Sequence, residues 1–327
     1  MSLRSRPGLA ALILCGCCVL WGLSFPLMPI VSDGLATAVQ RHGLPDNTMA
    51  TAATLNAWRY GVAAVLTALL AASRWQRLVR REVSIGFALG GLFAGGMILQ
   101  TLGLRWIVPS LAGVLTALSV IFAPLAQMLL FRQRVGGLIW IAALIALVGV
   151  ALLTQQNQAA TIPGSLTVTP PFPYAGEICT LLGSLFFTGQ ILCVDRFAGQ
   201  VDPLRLTAVV FFFVALLSAL TAVVCGGATQ LTLFTDSSLI RDGRWLGALL
   251  ALVVLCSVVA ITLMTTFQPA IPAATASVIY CLEPVFAVVF SLLLGQEQMT
   301  CFTAIGGSLV VGATVLVAVG GRVSGRP

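Results

Sequence analysis

Lysine is missing from this 327-residue chain, histidine occurs once, and only 8% of residues carry a charge. An ordinary soluble domain is about 25% charged. So few charges cannot cover a soluble fold of this length, so lipid must be the solvent for most of its surface. The one histidine, His42, falls in a loop between apolar runs. No metal-ligand cluster and no nucleophile–base arrangement can be read. The expectation is a protein without enzymatic activity, metal or organic cofactor. The nine cysteines lie in or beside apolar runs, so no disulfide framework between loops is visible. Only Cys15-Gly16-Cys17-Cys18 clusters, and on a helix its thiols point in different directions. They read as small apolar packing residues. The net charge of +7 rests on 17 basic residues, all of them arginine. These sit between apolar runs and not along one solvated face, which argues against nucleic acid as a partner.

What the chain has in abundance is apolar sequence: 59% hydrophobic residues and a mean hydropathy of +1.04. A membrane span needs about 20 apolar residues at roughly 1.5 Å rise each. Such stretches occur at residues 9–31, 50–72, 84–104, 109–131, 135–154, 174–194, 204–225, 245–265, 270–294 and 301–320. The expected fold class is an all-α polytopic membrane protein with ten transmembrane helices. If the N-terminus is cytoplasmic, inside segments hold Arg4, Arg6, Arg74, Arg77, Arg80, Arg81, Arg132, Arg134, Arg196, Arg205, Arg322 and Arg326. Outside loops then hold only Arg41, Arg105, Arg241 and Arg244. This asymmetry follows the positive-inside rule and puts both termini in the cytoplasm. A bacterial cytoplasmic (inner) membrane is the expected location. The first apolar run continues without charge from Pro7 to Ser32, longer than a signal h-region, so a retained helix is expected there.

Residues 155–173 are the longest uncharged polar stretch, with Pro163, Gly164, Pro170, Pro171 and Pro173, and read as an external linker. They divide the chain near its midpoint into halves 1–154 and 174–327, which prompts a search for a repeat. An offset of 160 pairs Pro109 with Pro269 and Pro124 with Pro284. Beyond a gap of three residues, Arg134 falls opposite Glu297 and Gly149 opposite Gly312. Five spans per half is an odd number, so the halves insert in opposite orientations. Two inverted five-helix repeats are a transporter architecture, with the site at the repeat interface near the midplane.

The stretch Glu283-Pro284, then Gly295-Gln296-Glu297, then Gly306, Gly307 and Gly312 resembles the drug/metabolite transporter superfamily, specifically its EamA-type ten-helix members. In that family the ninth helix carries a Glu-Pro pair and ends in Gly-x-Glu before a glycine-bearing tenth helix. Trp21-Gly22-x-Ser24-Phe25 in the first span and Arg59 in the second are similar to the family's pattern. The resemblance covers essentially the whole chain. It implies a carrier of small metabolites, amino acids or drugs, probing one side of the membrane at a time, with export as the expected direction. The first half departs from the pattern: Ala123-Pro124 stands where Glu-Pro would be mirrored, and Arg134 replaces the helix-end glutamate.

Intramembrane charge is the most informative remaining feature. A central Arg or Glu costs roughly 2.5–3.5 kcal/mol on insertion scales and usually faces the bundle interior or a wet cavity. Arg59 and Glu283 both fall near the middle of their spans. Glu283 is a candidate for lining a central cavity, where it would take up a coupling proton or bind a cationic group; pairing with Arg59 is the alternative. Trp21, Ser24, Asn56, Gln100, Gln190 and Tyr280 are further candidates for the cavity wall, with Gln127 and Gln268 beside them. Interhelical hydrogen bonding is the alternative for each. Pro124 and Pro284 are candidate kinks, because each removes a helical N–H and crowds a carbonyl one turn back; ordinary helix bending is the alternative. Gly86-x-x-x-Gly90 and Gly91-x-x-x-Gly95 suggest close helix packing. The Arg74, Arg77, Arg80 and Arg81 group reads as an orientation signal beside anionic lipid headgroups. Expected partners are a small-molecule substrate, membrane lipids and a coupling proton. The rival functions are a membrane-embedded enzyme, a receptor, or a channel, which would want a ring of filter residues.

Overall fold

The computed structural model describes residues 6–45, 47–77, 79–107, 109–154, 170–295 and 299–320. Arg4, Glu297, Arg322, Arg326 and most of the expected linker lie outside the described residues. Among the described residues the regular structure is helical throughout. In chain order the long helices are α1 (Pro7–Arg41), α2 (Thr48–Leu70), α3 (Arg80–Gly103), α4 (Leu111–Phe131) and α5 (Gly137–Thr154). The second half continues with α6 (Ala175–Phe197), α7 (Pro203–Gly226), α8 (Gly243–Ala270), α9 (Ala273–Leu293) and α10 (Cys301–Gly320). Seven of these, α1, α3, α4, α6, α7, α8 and α9, are long and apolar enough to cross a membrane. In α2 the apolar run is interrupted by Asn56 and Arg59, and in α5 and α10 it is shorter, Gly137–Leu152 and Cys301–Val317. Length and apolarity alone therefore count seven spans, where the sequence leads one to expect ten.

Helix starts follow local chemistry. Pro7 and Pro203 occupy first-turn positions, where a missing N–H costs nothing. Asn47 caps α2 by accepting from the Ala50 N–H, Asp202 caps α7, and Asp242 caps α8. One boundary differs from the sequence reading. α1 runs ten residues beyond position 31, through Ser32, Asp33 and Gly34, to Arg41. Polar residues ended the apolar run there, but the helix itself needs no apolar side chains once it leaves the hydrocarbon.

The halves are intertwined. α2 lies along α7 and α5 along α10, while α3 packs on α6 as α1 packs on α8. α1 also packs on α9, and α4 on α6. Each contact joins an element to its repeat counterpart or recurs with the halves exchanged, as an approximate two-fold relation requires. Glycines permit the closest crossings: a Cβ on Gly22 of α1 would sit 2.5 Å from Phe286 Cβ of α9. Gly86 and Gly90 serve α7 in the same way, and Gly95 serves α6, so these glycines pack within the chain. Large apolar side chains such as Leu69, Leu130, Val224 and Leu293 face outward, forming the surface lipid would cover.

Two helices are interrupted near their middles, α4 at Leu118 and α9 at Cys281. The α9 break lies three residues before Pro284, as the missing proline N–H would dictate. The α4 break lies six residues before Pro124, so the mirrored prolines do not set mirrored breaks. A third irregularity has no proline at all: α8 widens into π-helix over Leu252–Val259.

Candidate functional site

The breaks and the widened turn surround one interior cavity. Its wall includes Trp21 and Ser24 from α1, Arg59 from α2, Gln100 from α3, Gln190 from α6, and Tyr280 and Glu283 from α9. Seven of the ten wall candidates are thereby brought together from five helices of both halves. Asn56 is not on the wall. It is fully buried between α2 and α3, donating to the Met97 carbonyl and to Thr101 Oγ1.

Arg59 is almost wholly buried. Its Nε donates to Ser257 Oγ at 2.8 Å, its Nη1 reaches Met28 Sδ at 3.7 Å, and its guanidinium carbon lies 5.0 Å from the centre of the Tyr60 ring. The π turn makes the first contact possible. Ser257 Oγ donates to the Leu252 carbonyl five residues back, which leaves its lone pairs free to accept from Arg59. Single π turns inside α-helices are frequent at functional sites. Ser257 and Cys256 thus bring α8 to the cavity.

Glu283 sits just past the α9 break and keeps some accessible surface although it lies mid-helix. Among the described residues Arg59 and Glu283 form no direct ion pair with each other. Arg59 and Glu283 therefore face the same small space without bonding to each other. Around them, Gln100 donates to Thr116 Oγ1 at 3.0 Å, and Trp21 meets Tyr280 edge-on with ring centres 5.3 Å apart. The Tyr280 hydroxyl donates to Gln268, whose amide donates to the Ile191 carbonyl at 2.8 Å. Gln127 accepts from the Ala274 N–H at the start of α9. Gln268 and Gln127 are thus engaged as interhelical bridges.

The cavity holds about 70 Å³. A drug-sized ligand needs roughly 300–1,000 Å³, so this conformation has room only for a few waters or a small polar group. A larger groove of about 500 Å³ runs between the second half of α9 and α10, lined by residues such as Val285, Val289, Leu292, Gly307 and Val311. It is the roomier space, but none of its lining residues is ionisable, and the chemistry lies in the interior cavity. Several wall residues escaped the sequence reading: Tyr60, Phe93, Met97, Thr116, Ser119, Phe187 and Cys256.

Comparison with known proteins agrees with this arrangement of two intertwined halves. The chain is 24% identical over 299 residues to a protein of Archaeoglobus fulgidus described as an uncharacterized transporter, covering 91% of this chain and 82% of that one. A solved crystal structure of a protein shares the fold with a TM-score of 0.64 and 21% identity, covering 96% of this chain and 97% of that one. The model of the EamA-like transporter family matches twice, over residues 8–155 and again over 174–319. With a match in each half, the chain belongs to the EamA-like transporter family.

Proposed function

We propose that this membrane transporter is a secondary-active carrier that exports small metabolites, amino acids or drugs by alternating access. All ten helices would span a cytoplasmic membrane with both termini inside, halves 1–154 and 174–327 joined by an external linker at 155–173. The observation that carries the reading is the cavity itself: a space lined from both halves, into which Arg59 and Glu283 both look without forming a direct ion pair. A static scaffold would be better served by pairing two buried charges, since leaving either unmatched is costly. A cargo bearing a carboxylate and an ammonium group matches the two sites at once, which favours amino acids among the three classes. Glu283 is also the wall group able to release and regain a proton as the cavity opens and closes. Membrane lipids are the remaining partner.

The test is uptake into proteoliposomes, screened across amino acids and cationic drugs with and without an imposed proton gradient. Saturable, gradient-dependent flux is expected, and Glu283→Gln should reduce the gradient-dependent part at least about tenfold. Unchanged gradient dependence in that variant would sink proton coupling through Glu283. Single-channel currents under voltage would replace the carrier with a channel.

A further inference from the structure

The two mouths of the cavity are sealed by different means. Toward the cytoplasmic end, the α8–α9 junction lies against α6: Gln268 bonds to the Ile191 carbonyl, and a Cβ on Gly199 would come within 3.3 Å of Pro269. Toward the opposite end, the counterpart junction between α3 and α4 faces α1. There a single arginine makes both a hydrogen bond and an ion pair to α1. Arg105 Nη1 donates to Ser32 Oγ at 3.1 Å and makes an ion pair with Asp33. At about 1.5 Å per residue, Asp33 stands roughly 13 Å along α1 from the wall residue Ser24, above the cavity.

Each partner is anchored to a different part of the second half. The Arg105 junction is pinned to the start of α6, where a Cβ on Gly103 would sit 2.9 Å from the Gly176 carbonyl oxygen. The outer end of α1 is pinned to the second half: Trp245 Nε1 donates to the Val31 carbonyl at 3.0 Å, and Arg41 and His42 both reach Asp236. Arg105 is only 5% exposed, yet among the described residues its Nε has no hydrogen-bond partner. A buried guanidinium with an unused donor gains hydration when released, so the bridge is poised to break.

We propose that Arg105, Asp33 and Ser32 form the outer latch of the carrier, the element that holds the cavity shut on the non-cytoplasmic side and opens for cargo exchange there. The proposal rests on the alternating-access reading, and its test needs no cargo, so the two can fail separately. Cys256 lines the cavity, whereas Cys18 is buried off its wall. A membrane-impermeant charged maleimide is applied from outside to right-side-out vesicles holding the full chain, and modification of each cysteine is read by peptide mass spectrometry. Asp33→Asn and Arg105→Gln should each speed modification of Cys256 about tenfold, the response expected when the closed state loses its advantage. Exchanging the charges, Asp33→Arg with Arg105→Asp, should return the rate to near the parent value. Unchanged labelling in both single variants, or an exchanged pair as fast as the singles, overturns the latch. If Cys18 labels in step with Cys256, that variant has lost its fold and the decision passes to Arg105→Lys. That substitution keeps the charge but cannot reach both partners; Cys256 labelling no faster than in the parent then overturns the latch.

Discussion

At the scale of single residues, the site is organised by polar atoms that helices cannot satisfy alone. Ser257 is the sharpest case, because it supplies the acceptor that holds Arg59 in the bundle interior. Ser257→Ala should leave the buried Nε unmatched and lower stability by about 1–3 kcal/mol. The measurement is thermal unfolding in detergent; an unchanged midpoint would mean Arg59 finds another acceptor. Asp236 makes a different prediction at the outer surface. Hydrogen bonds from the Ser238 side chain and backbone, with His42 and the Arg41 charge beside them, pull its carboxyl down to about 2. A depressed carboxylate pKa contributes stability that is present above the unfolded value and lost as pH falls through the folded one. The midpoint difference between parent and Asp236→Asn should therefore be constant above pH ~4 and vanish toward pH ~2. A difference that persisted undiminished to pH ~2 would remove the carboxylate as its cause.

The same scale explains what the sequence could and could not say. Arg59, Glu283, Gln100 and Gln190 stand out because a polar side chain in hydrocarbon is costly enough to need a reason. Thr116 does not stand out: its hydroxyl can always bond back to the preceding turn, as it does to the Ala112 carbonyl, so a wall threonine and an idle one look alike. Asn56 has the right polarity and the wrong face, spending its amide on α3.

At the scale of elements, helix positions were legible from apolar length and helix irregularities were not. Nothing in Leu252–Val259, an apolar run with one serine and one cysteine, announces a π turn. The paired prolines suggest a register of α4 against α9, but the break in α4 falls at Leu118, where the sequence carries no mark. Close crossings follow glycine more faithfully. Gly22→Val would drive branched carbons into Phe286 and the Ala287 backbone, and overpacking of that kind costs about 1–3 kcal/mol. A lower unfolding midpoint is expected, whereas Gly16→Val, with open space around it, should change little. Equal effects in the two variants would remove the crossing as the cause.

At the scale of the whole molecule, the Arg74–Arg81 region does more than face lipid headgroups. Glu82, only 1% exposed, pairs with Arg205 at 2.6 Å and accepts from the Asp202 N–H. Arg74 pairs with Asp202 at 3.2 Å, and Arg205 also donates to the Arg74 carbonyl. This network ties the α2–α3 connection to the start of α7, and so one half to the other. Glu82→Gln should leave Arg205 buried without its counter-ion and destabilise the protein by about 3–5 kcal/mol. Unfolding in detergent reads the loss, and a change under ~1 kcal/mol would show the halves held by packing alone.

The separation of Arg59 from Glu283 has one more consequence. For the zwitterionic cargo proposed above, contacts to Arg59 and Glu283 would fix its direction across the cavity, and the Trp21–Tyr280 ring pair on the same wall would meet its side group. Three contacts that do not lie on a line distinguish left from right. On the amino-acid reading proposed above, only one of two enantiomers would meet both Arg59 and Glu283 while turning its side group toward the rings.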